Sequence, residues 1–214
     1  MTEDCAHGSA DGVVDDRLLE VLERSREHGL LGPASVEDHV GHAKGFAAGL
    51  DQQPARFLDL GSGGGVPGLV LACLWSDATA VLLDASERSS DILRDAVARL
   101  SLSKRVTVLR ARAEEAGRRD DLRASCDVVV ARSFGPAAVT AECGAPFLQS
   151  GGWLIVSEPP GGAARWPAVG LSMLGLALGP AWRTPFSYQA LVQRAPCPDR
   201  YPRRVGIPNK RPLF

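Results

Sequence analysis

The stretch Phe57-Leu-Asp-Leu-Gly-Ser-Gly-Gly-Gly-Val-Pro-Gly68 decides the fold of this chain. A short apolar run ends at a carboxylate, Asp59, and four glycines follow within the next six residues. Glycine permits backbone conformations that a Cβ would obstruct, and it lets a ligand lie against the main chain. The pattern predicts a buried parallel strand that turns sharply into a helix, with a loop that holds a nucleotide-like molecule.

Apolar runs alternate with amphipathic segments on both sides of this loop. We expect strands at residues 56–60, 79–84, 105–110, 126–131, 153–157 and 186–194. Helices are expected at residues 15–31, 35–50, 69–75, 87–100 and 137–148, with a weak helix at 163–178. Strands that alternate with helices predict an α/β fold, with a doubly wound, mostly parallel sheet covered on both faces.

The chain divides into three regions by composition. Residues 1–50 are expected to form an acidic, disordered tip followed by N-terminal helices. Residues 51–195 are expected to form a Rossmann-like core, and residues 196–214 a basic, proline-rich tail. At 214 residues we expect one compact monomeric unit with short appendages.

Composition limits the cellular setting. No segment approaches the roughly 20 apolar residues that a membrane span needs. Residues 1–16 are acidic and lack the basic start and apolar centre of a signal peptide. The five cysteines include no C-x-x-C pair, which argues against a disulfide framework or a zinc site. We therefore expect a cytoplasmic protein with no metal ion and no membrane partner.

The net charge of −1 hides an asymmetry between the two ends. Residues 1–40 carry ten acidic residues against three arginines, whereas residues 157–214 carry eight Lys or Arg against two acids. A basic end can bind a polyanion such as RNA. Alternatively, the two ends neutralise each other or stay solvated.

The glycine loop fits two cofactors. Gly63, Gly65 and Gly68 match the G-x-G-x-x-G fingerprint of dinucleotide-binding proteins. Gly61, Gly63 and Gly65, with Asp59 two residues earlier, match the looser loop of S-adenosylmethionine enzymes. Asp59 also fits a simpler role, as a carboxylate that stabilises the turn.

Polar side chains follow the other predicted strands at the same edge of the sheet. Asp84 ends the second strand, where an acid suits the ribose hydroxyls of either cofactor. Ala113 and Glu114 follow the third strand, where an adenine can be met, and Arg132 closes the fourth. Each position alone also fits a helix start or a surface ion pair. Because parallel strands bring their carboxyl ends to one edge, the residues together predict a single site.

Five motifs then identify a family. They are the glycine loop 57–68, Leu82-Leu-Asp-Ala-Ser86, Arg112-Ala-Glu-Glu115, Asp127-Val-Val-Val-Ala-Arg132 and Arg200-Tyr-Pro-Arg-Arg-Val-Gly-Ile-Pro208. Together they resemble the bacterial small-subunit ribosomal RNA guanine-N7 methyltransferases, known as the glucose-inhibited division protein B family. The proline after the glycine loop and the Tyr-Pro-Arg-Arg tail are the specific parts of this resemblance.

The resemblance implies a class I methyltransferase that uses S-adenosyl-L-methionine. It implies cofactor contacts from Gly61, Val66, Ala113, Glu114 and Arg132. It also implies that the substrate is a guanine N7 in 16S ribosomal RNA, on the RNA or the small ribosomal subunit. Guanine N7 already presents a lone pair, so the reaction needs alignment of the reactants more than a strong base.

Several basic residues are candidates for contacts with the substrate and the cofactor. Arg88 and Arg132 are the candidates for guiding the nucleotide and the cofactor carboxylate. Four residues of the tail are candidates for phosphate contacts: Arg203, Arg204, Lys210 and Arg211. Alternatively, the tail is a proline-stiffened strap across the fold. His39 matches a histidine of the family, but we interpret it as a helix-surface residue.

Two departures from the family keep other functions open. Glu87 and Glu158 stand where the family usually has lysines, at the edge expected to face the substrate. One alternative is a paralogue that methylates another RNA site or a small molecule, and another is a non-catalytic cofactor-binding module. An NAD-dependent oxidoreductase is the least favoured, because no Tyr-x-x-x-Lys or histidine proton donor follows a suitable strand.

Overall fold

Five parallel strands and an antiparallel hairpin make one sheet in a computed structural model that describes residues 16–159 and 165–214. The strands are β1 Arg56–Leu60, β2 Thr79–Asp84, β3 Val106–Arg110, β4 Cys126–Ala131, β5 Leu148–Glu158, β6 Leu176–Arg183 and β7 Ser187–Gln193. Their order is β3-β2-β1-β4-β5-β7-β6, and β7 runs antiparallel between β5 and β6. The doubly wound, mostly parallel sheet is confirmed. The strand order reverses between β1 and β4, where ligands bind in such folds.

Helices cover both faces of the sheet. They are α1 Asp16–Glu27, α2 Val36–Ala47, α3 Gly68–Leu74, α4 Glu87–Arg99, α5 Ala113–Ala116, α6 Ala137–Gly144, α7 Ala168–Ser172 and α8 Ile207–Lys210. Serine side chains begin two of them: Ser35 Oγ accepts from Asp38 N at 3.0 Å, and Ser86 Oγ accepts from Ser89 N at 3.2 Å. A serine N-cap satisfies an amide that has no partner inside the helix.

Strand β1 divides the core into two layers. Because successive side chains of a strand point to opposite faces, Phe57 packs with α1 to α4, whereas Leu58 and Leu60 pack with α5 to α7. Asp59 has the parity of Phe57 and therefore lies on the face that α3 covers. The alternation thus places one carboxylate beneath the first turn of that helix.

The antiparallel hairpin supports helix α2. Tyr188 of β7 donates from its hydroxyl to the His42 carbonyl at 2.7 Å, and Trp182 of β6 donates from Nε1 to the Gly45 carbonyl at 2.8 Å. The two aromatic rings stack with centroids 5.6 Å apart. Helix α2 is therefore held over the far end of the sheet by residues almost 150 positions later in the chain.

The weak helix expected at 163–178 is confirmed only over five residues of its described part. Only Ala168–Ser172 is helical, and β6 begins at Leu176. The chain turns at Gly175, whose φ is +75° and where a Cβ would overlap the Ala195 carbonyl oxygen. The edge strand tolerates Pro180 because the pairing with β7 shifts register there. Residues 163–164 and the expected disordered tip lie outside the described residues.

Two glycines of α2 provide a test of this packing. A Cβ at Gly45 would overlap the Tyr188 hydroxyl, so Gly45→Ala should lower the free energy of unfolding by about 1–3 kcal/mol. A Cβ at Gly41 would meet nothing within 4 Å, so Gly41→Ala should be neutral or raise it by up to about 1 kcal/mol. Urea unfolding followed by circular dichroism measures both. Equal effects would contradict the contact between α2 and the hairpin.

Candidate functional site

The glycine loop is bound to the end of β2. The amides of Gly61 and Ser62 both donate to the Leu83 carbonyl, at 2.9 and 3.0 Å. The backbone has φ of +75° at Gly61 and +94° at Gly65, in the region that favours glycine. The loop therefore has a fixed path, as the sequence predicts.

Asp59 lies behind this loop. Its Oδ2 accepts from the Gly68 amide at 2.9 Å, whereas its buried Oδ1 has no hydrogen-bond partner among the described residues. A Cβ at Gly68 would overlap this carboxylate, so the glycine allows a close approach of α3 to β1. Asp59, predicted to bind the cofactor, lines neither of the two pockets described below, and neither does Gly65. Burial at the base of the loop makes Asp59 a positioning residue.

Asp84 connects the loop to the next turn. Its Oδ2 accepts from the Gly63 amide at 2.8 Å, and its Oδ1 accepts from the Ser86 amide at 2.8 Å. Each carboxylate oxygen has a second acceptor position left, because an ionised carboxylate offers about four. Asp84 is half-buried, so these positions can reach a ligand.

Asp84 lines a cleft of about 150 Å³, which we name the Asp84 pocket. Its walls include Gly61, Ala113, Glu114, Phe134 and Asn209. Four predicted cofactor residues therefore meet here, from the ends of three strands. Position 61 favours glycine for two reasons. Its φ is positive, and a Cβ there would lie 2.7 Å from the Phe134 ring.

The C-terminal tail closes one side of the Asp84 pocket. Glu114 Oε1 accepts from the Gly206 amide at 2.9 Å, and Asn209 of α8 lines the pocket wall. Arg203 forms a bidentate pair with Glu142, through Nε to Oε1 at 2.9 Å and Nη2 to Oε2 at 2.7 Å. The tail is therefore built into the fold beside this pocket.

The four tail residues predicted to contact RNA phosphates thus differ in their surroundings. The Arg203 guanidinium is engaged by Glu142, which is fully buried, and by the Arg211 carbonyl. Arg204, Lys210 and Arg211 have exposed side chains. The charge of Arg203 is neutralised inside the fold, so only the other three present a free cation to an RNA phosphate.

A second cavity of about 430 Å³ lies on the other side of Gly61, and we name it the His42 pocket. Its walls include Asp38, His42, Gly63, Val66, Arg132 and Phe186. The two pockets share Gly61 and so lie next to each other at the edge of the sheet.

Arg132 is the cation of the His42 pocket. Its Nη1 donates to His39 Nδ1 at 3.2 Å, and His39 Nε2 then donates to the Gly32 carbonyl at 3.3 Å. His39 is only 8% exposed, so the interpretation of it as a surface residue is wrong. Burial lowers the pKa of Arg132 and the Asp59 carboxylate opposes this. No described carboxylate forms an ion pair with Arg132, which leaves its other N–H groups for an anionic ligand.

His42 and Phe186 form an aromatic wall of the same pocket. Their rings stack with centroids 4.2 Å apart and planes 13° from parallel. Burial lowers the pKa of His42 to about 4, helped by the nearby Arg132 charge, so the ring is neutral at pH 7. Phe186 is 40% exposed, which leaves an aromatic surface at the pocket mouth.

Arg88 lies in neither pocket. Its Nη2 donates to the His28 carbonyl at 2.7 Å and so joins α4 to the end of α1. The two acids that depart from the family are both paired: Glu87 with Arg110 at 2.5 Å, and Glu158 with Trp166 Nε1 at 2.9 Å and with Arg165 at 3.1 Å. Neither acid presents an unpaired charge to the edge.

Sequence reasoning missed several residues that line the pockets, among them Phe134, His42, Phe186 and Asn209. The sequence indicated the positions of two of them, because Phe134 is two residues after Arg132 and His42 is one helical turn after His39. Nothing in the sequence indicated Phe186 or Asn209, because they reach the site from a distant hairpin and from the tail. In residues 16–159 and 165–214, no group of His, Cys, Asp or Glu is arranged to hold a metal ion. Within the same ranges, no helix has the length and apolar character of a membrane span.

The buried Asp59 predicts a pH dependence of stability. Burial raises its pKa from 3.8 to about 7, so the folded protein retains a proton that the unfolded chain releases above about pH 4. The contribution of Asp59 to the free energy of unfolding is therefore present at low pH and is lost as the pH rises towards about 7. Asp59→Asn keeps an acceptor for Gly68 but does not titrate. The melting temperature of the variant relative to wild type should therefore rise between about pH 5 and about pH 8. Parallel melting profiles would contradict the raised pKa.

Arg203 and Arg204 form a matched pair for a second test. Arg203→Gln leaves the buried Glu142 without its cation and should lower the free energy of unfolding by about 2–4 kcal/mol. Arg204→Gln changes an exposed side chain and should stay within about 0.5 kcal/mol of wild type. Denaturant unfolding measures both variants. An equally small loss for Arg203→Gln would return this residue to the candidates for RNA contact.

Comparisons with known proteins agree with this geometry. Residues 27–157 match the family model for rRNA small subunit methyltransferase G. Two curated relatives are named "Ribosomal RNA small subunit methyltransferase G". The one from Moorella thermoacetica is 34% identical, over 74% of this chain and 70% of its own length. The one from Syntrophomonas wolfei is 31% identical, over 90% of this chain and 95% of its own length.

A solved structure shares the fold. The O-methyltransferase from Bacillus cereus, solved in complex with SAH, superposes with a TM-score of 0.61 at 18% identity, over 84% of this chain and 91% of that one. The sheet and its helices are those of class I S-adenosylmethionine-dependent methyltransferases. From the family match and the two curated relatives, we conclude that the chain belongs to the rRNA small subunit methyltransferase G family.

Proposed function

We propose that this chain transfers a methyl group from S-adenosyl-L-methionine to N7 of a guanine in 16S ribosomal RNA. The observation that carries the proposal is the pair of pockets that meet at Gly61. One has the polar groups that an adenosine needs, and the other has room for an acceptor base. The family of the chain gives the reaction its substrate class.

The residues of the Asp84 pocket fit the cofactor. The free acceptor positions of Asp84 suit two ribose hydroxyls, and the Ala113 and Glu114 region suits an adenine. Beyond Gly61, the Arg132 guanidinium suits the carboxylate of the amino-acid end. When bound, the cofactor supplies a methyl group made electrophilic by its sulfonium. The small space at Gly61 supports this fit, because any side chain there would meet the Phe134 ring.

The His42 pocket has the properties of a site that aligns the acceptor base with the methyl donor. Guanine N7 carries an in-plane lone pair, so the reaction asks the protein to hold nucleophile and methyl carbon in line. His39 uses both ring nitrogens in hydrogen bonds to Arg132 and Gly32, which supports a positioning role in place of a base. The neutral His42 ring and the Phe186 ring exclude water from one wall.

Contact with RNA is assigned to the exposed tail cations Arg204, Lys210 and Arg211. Phosphate contacts orient a nucleic acid without reading its sequence. The ion pairs of Glu87 and Glu158 support this assignment, because paired acids repel a polyanion less than free ones. We propose that the chain acts as a monomer in the cytoplasm, where ribosomal subunits are found.

Transfer of labelled methyl groups tests the proposal. The purified chain is incubated with methyl-labelled S-adenosylmethionine and small ribosomal subunits from cells that lack this methylation. Label should enter 16S RNA at one guanine, which borohydride reduction and aniline cleavage then identify as 7-methylguanine. Transfer into a small-molecule fraction, with the RNA unlabelled, would favour the paralogue. Cofactor binding without any transfer would favour a binding module.

Two aspartate variants test whether Asp84 binds the cofactor. Asp84→Asn weakens the acceptor of the ribose hydroxyls and should raise the Kd for S-adenosylmethionine about 10-fold. Asp91→Asn alters an exposed carboxylate of α4, paired with Arg94, and should leave that Kd unchanged. Isothermal titration measures both. Equal Kd values in the two variants would contradict the assignment of Asp84.

A further inference from the structure

The His42 pocket holds one charged group that the proposed function leaves without a role. Asp38 lies in the first turn of α2 and lines this pocket. Its amide donates to Ser35 Oγ, and its side chain is exposed to solvent at the edge of the pocket. The carboxylate has no hydrogen bond or ion pair with any described residue. An acceptor with two oxygens thus faces a cavity whose other charged group is the Arg132 cation.

The arrangement of the pocket separates acceptors from donors. Asp38 comes from α2, whereas Arg132 comes from the end of β4 beside Gly61. The stacked rings of His42 and Phe186 line the same pocket. Proteins hold unstacked RNA bases against such rings and bind their edges through polar side chains. The cavity of about 430 Å³ is within the range of sites for a small organic ligand.

The edges of the purine bases explain why a carboxylate matters. Guanine presents two neighbouring donors on its Watson–Crick edge, N1–H and the 2-amino group. Adenine presents an acceptor at N1 and a donor at the 6-amino group. A carboxylate accepts two parallel N–H bonds, so it pairs with the guanine edge and leaves an adenine edge with an acceptor facing an acceptor.

We propose that the His42 pocket binds an extruded guanine, that Asp38 selects it by pairing with its Watson–Crick edge, and that His42 and Phe186 stack beside it. This orientation turns the opposite edge, which carries N7, towards Gly61 and the methyl donor. Asp38 is then a specificity-determining residue, and Phe186 is the ring that the base meets at the pocket mouth. The inference rests on the proposed function and names how its base is recognised.

The first experiment measures methyl transfer to undermethylated small subunits. Asp38→Asn replaces one acceptor by a donor and should lower kcat/KM about 10- to 100-fold, the value of one bidentate base contact. Glu37→Gln, an exposed neighbour on the same turn outside the pocket, should leave kcat/KM unchanged. The Kd for S-adenosylhomocysteine should be the same in all three proteins, which separates lost recognition from a damaged fold.

A competition readout tests selection itself. In the wild type, GMP should inhibit transfer at a concentration about 10-fold lower than AMP. In Asp38→Asn the two nucleotides should inhibit equally. If subunits are methylated but GMP and AMP inhibit the wild type equally, or if Asp38→Asn behaves as the wild type, the inference is overturned while the proposed function stands.

Nucleotide binding tests the guanine site even if small subunits are not methylated. GMP and AMP are then titrated into the chain saturated with S-adenosylhomocysteine. A preference for GMP that Asp38→Asn removes would support the guanine site even though the RNA assignment had failed. Equal binding of the two nucleotides, or binding of neither, would overturn the site.

Discussion

The hydrogen bond from the Gly68 amide to the buried Asp59 carboxylate is the contact on which the site depends. It joins the end of β1 to the first turn of α3 and so fixes the two ends of the glycine loop. The path between them is set by the bonds from Gly61 and Ser62 to Leu83 and from Gly63 to Asp84. Burying a carboxylate without a hydrogen-bond donor costs free energy. The Gly68 amide supplies that donor, and it can come this close to Asp59 because position 68 has no Cβ.

The two pockets on either side of Gly61 are built in different ways. The Asp84 pocket uses the carboxyl ends of neighbouring parallel strands, which any doubly wound sheet brings to one edge. The His42 pocket needs helix α2, which Tyr188 and Trp182 hold in place from the antiparallel hairpin. The Asp84 pocket therefore follows from the doubly wound fold. The His42 pocket depends in addition on helix α2 and on the hairpin that holds it.

The tail shows why charge alone does not assign a role. Arg203 and Arg204 are neighbours in a basic segment, yet one guanidinium is neutralised by the buried Glu142 and the other is exposed. The bond from Gly206 to Glu114 then ties the tail to the wall of the Asp84 pocket. One short segment thus stabilises the wall of the Asp84 pocket and also has exposed cations at the surface.

The sequence by itself determined the parallel sheet, the glycine loop and the edge where Asp84, Glu114 and Arg132 meet. These features depend on residues close together in the chain: apolar runs of strand length, turn glycines and the polar residue after each strand. It failed at β6, a strand that the sequence analysis does not predict and whose first three residues fall within the expected helix at 163–178, because pairing with β7 outweighs local propensity.

Only the tertiary structure decided that His39 is buried against Arg132, that Arg203 serves the fold, and that Phe186 and Asn209 reach the pockets. The reason is that long-range packing brings together segments more than 60 residues apart. The spacing of residues along a chain carries no signal for such contacts.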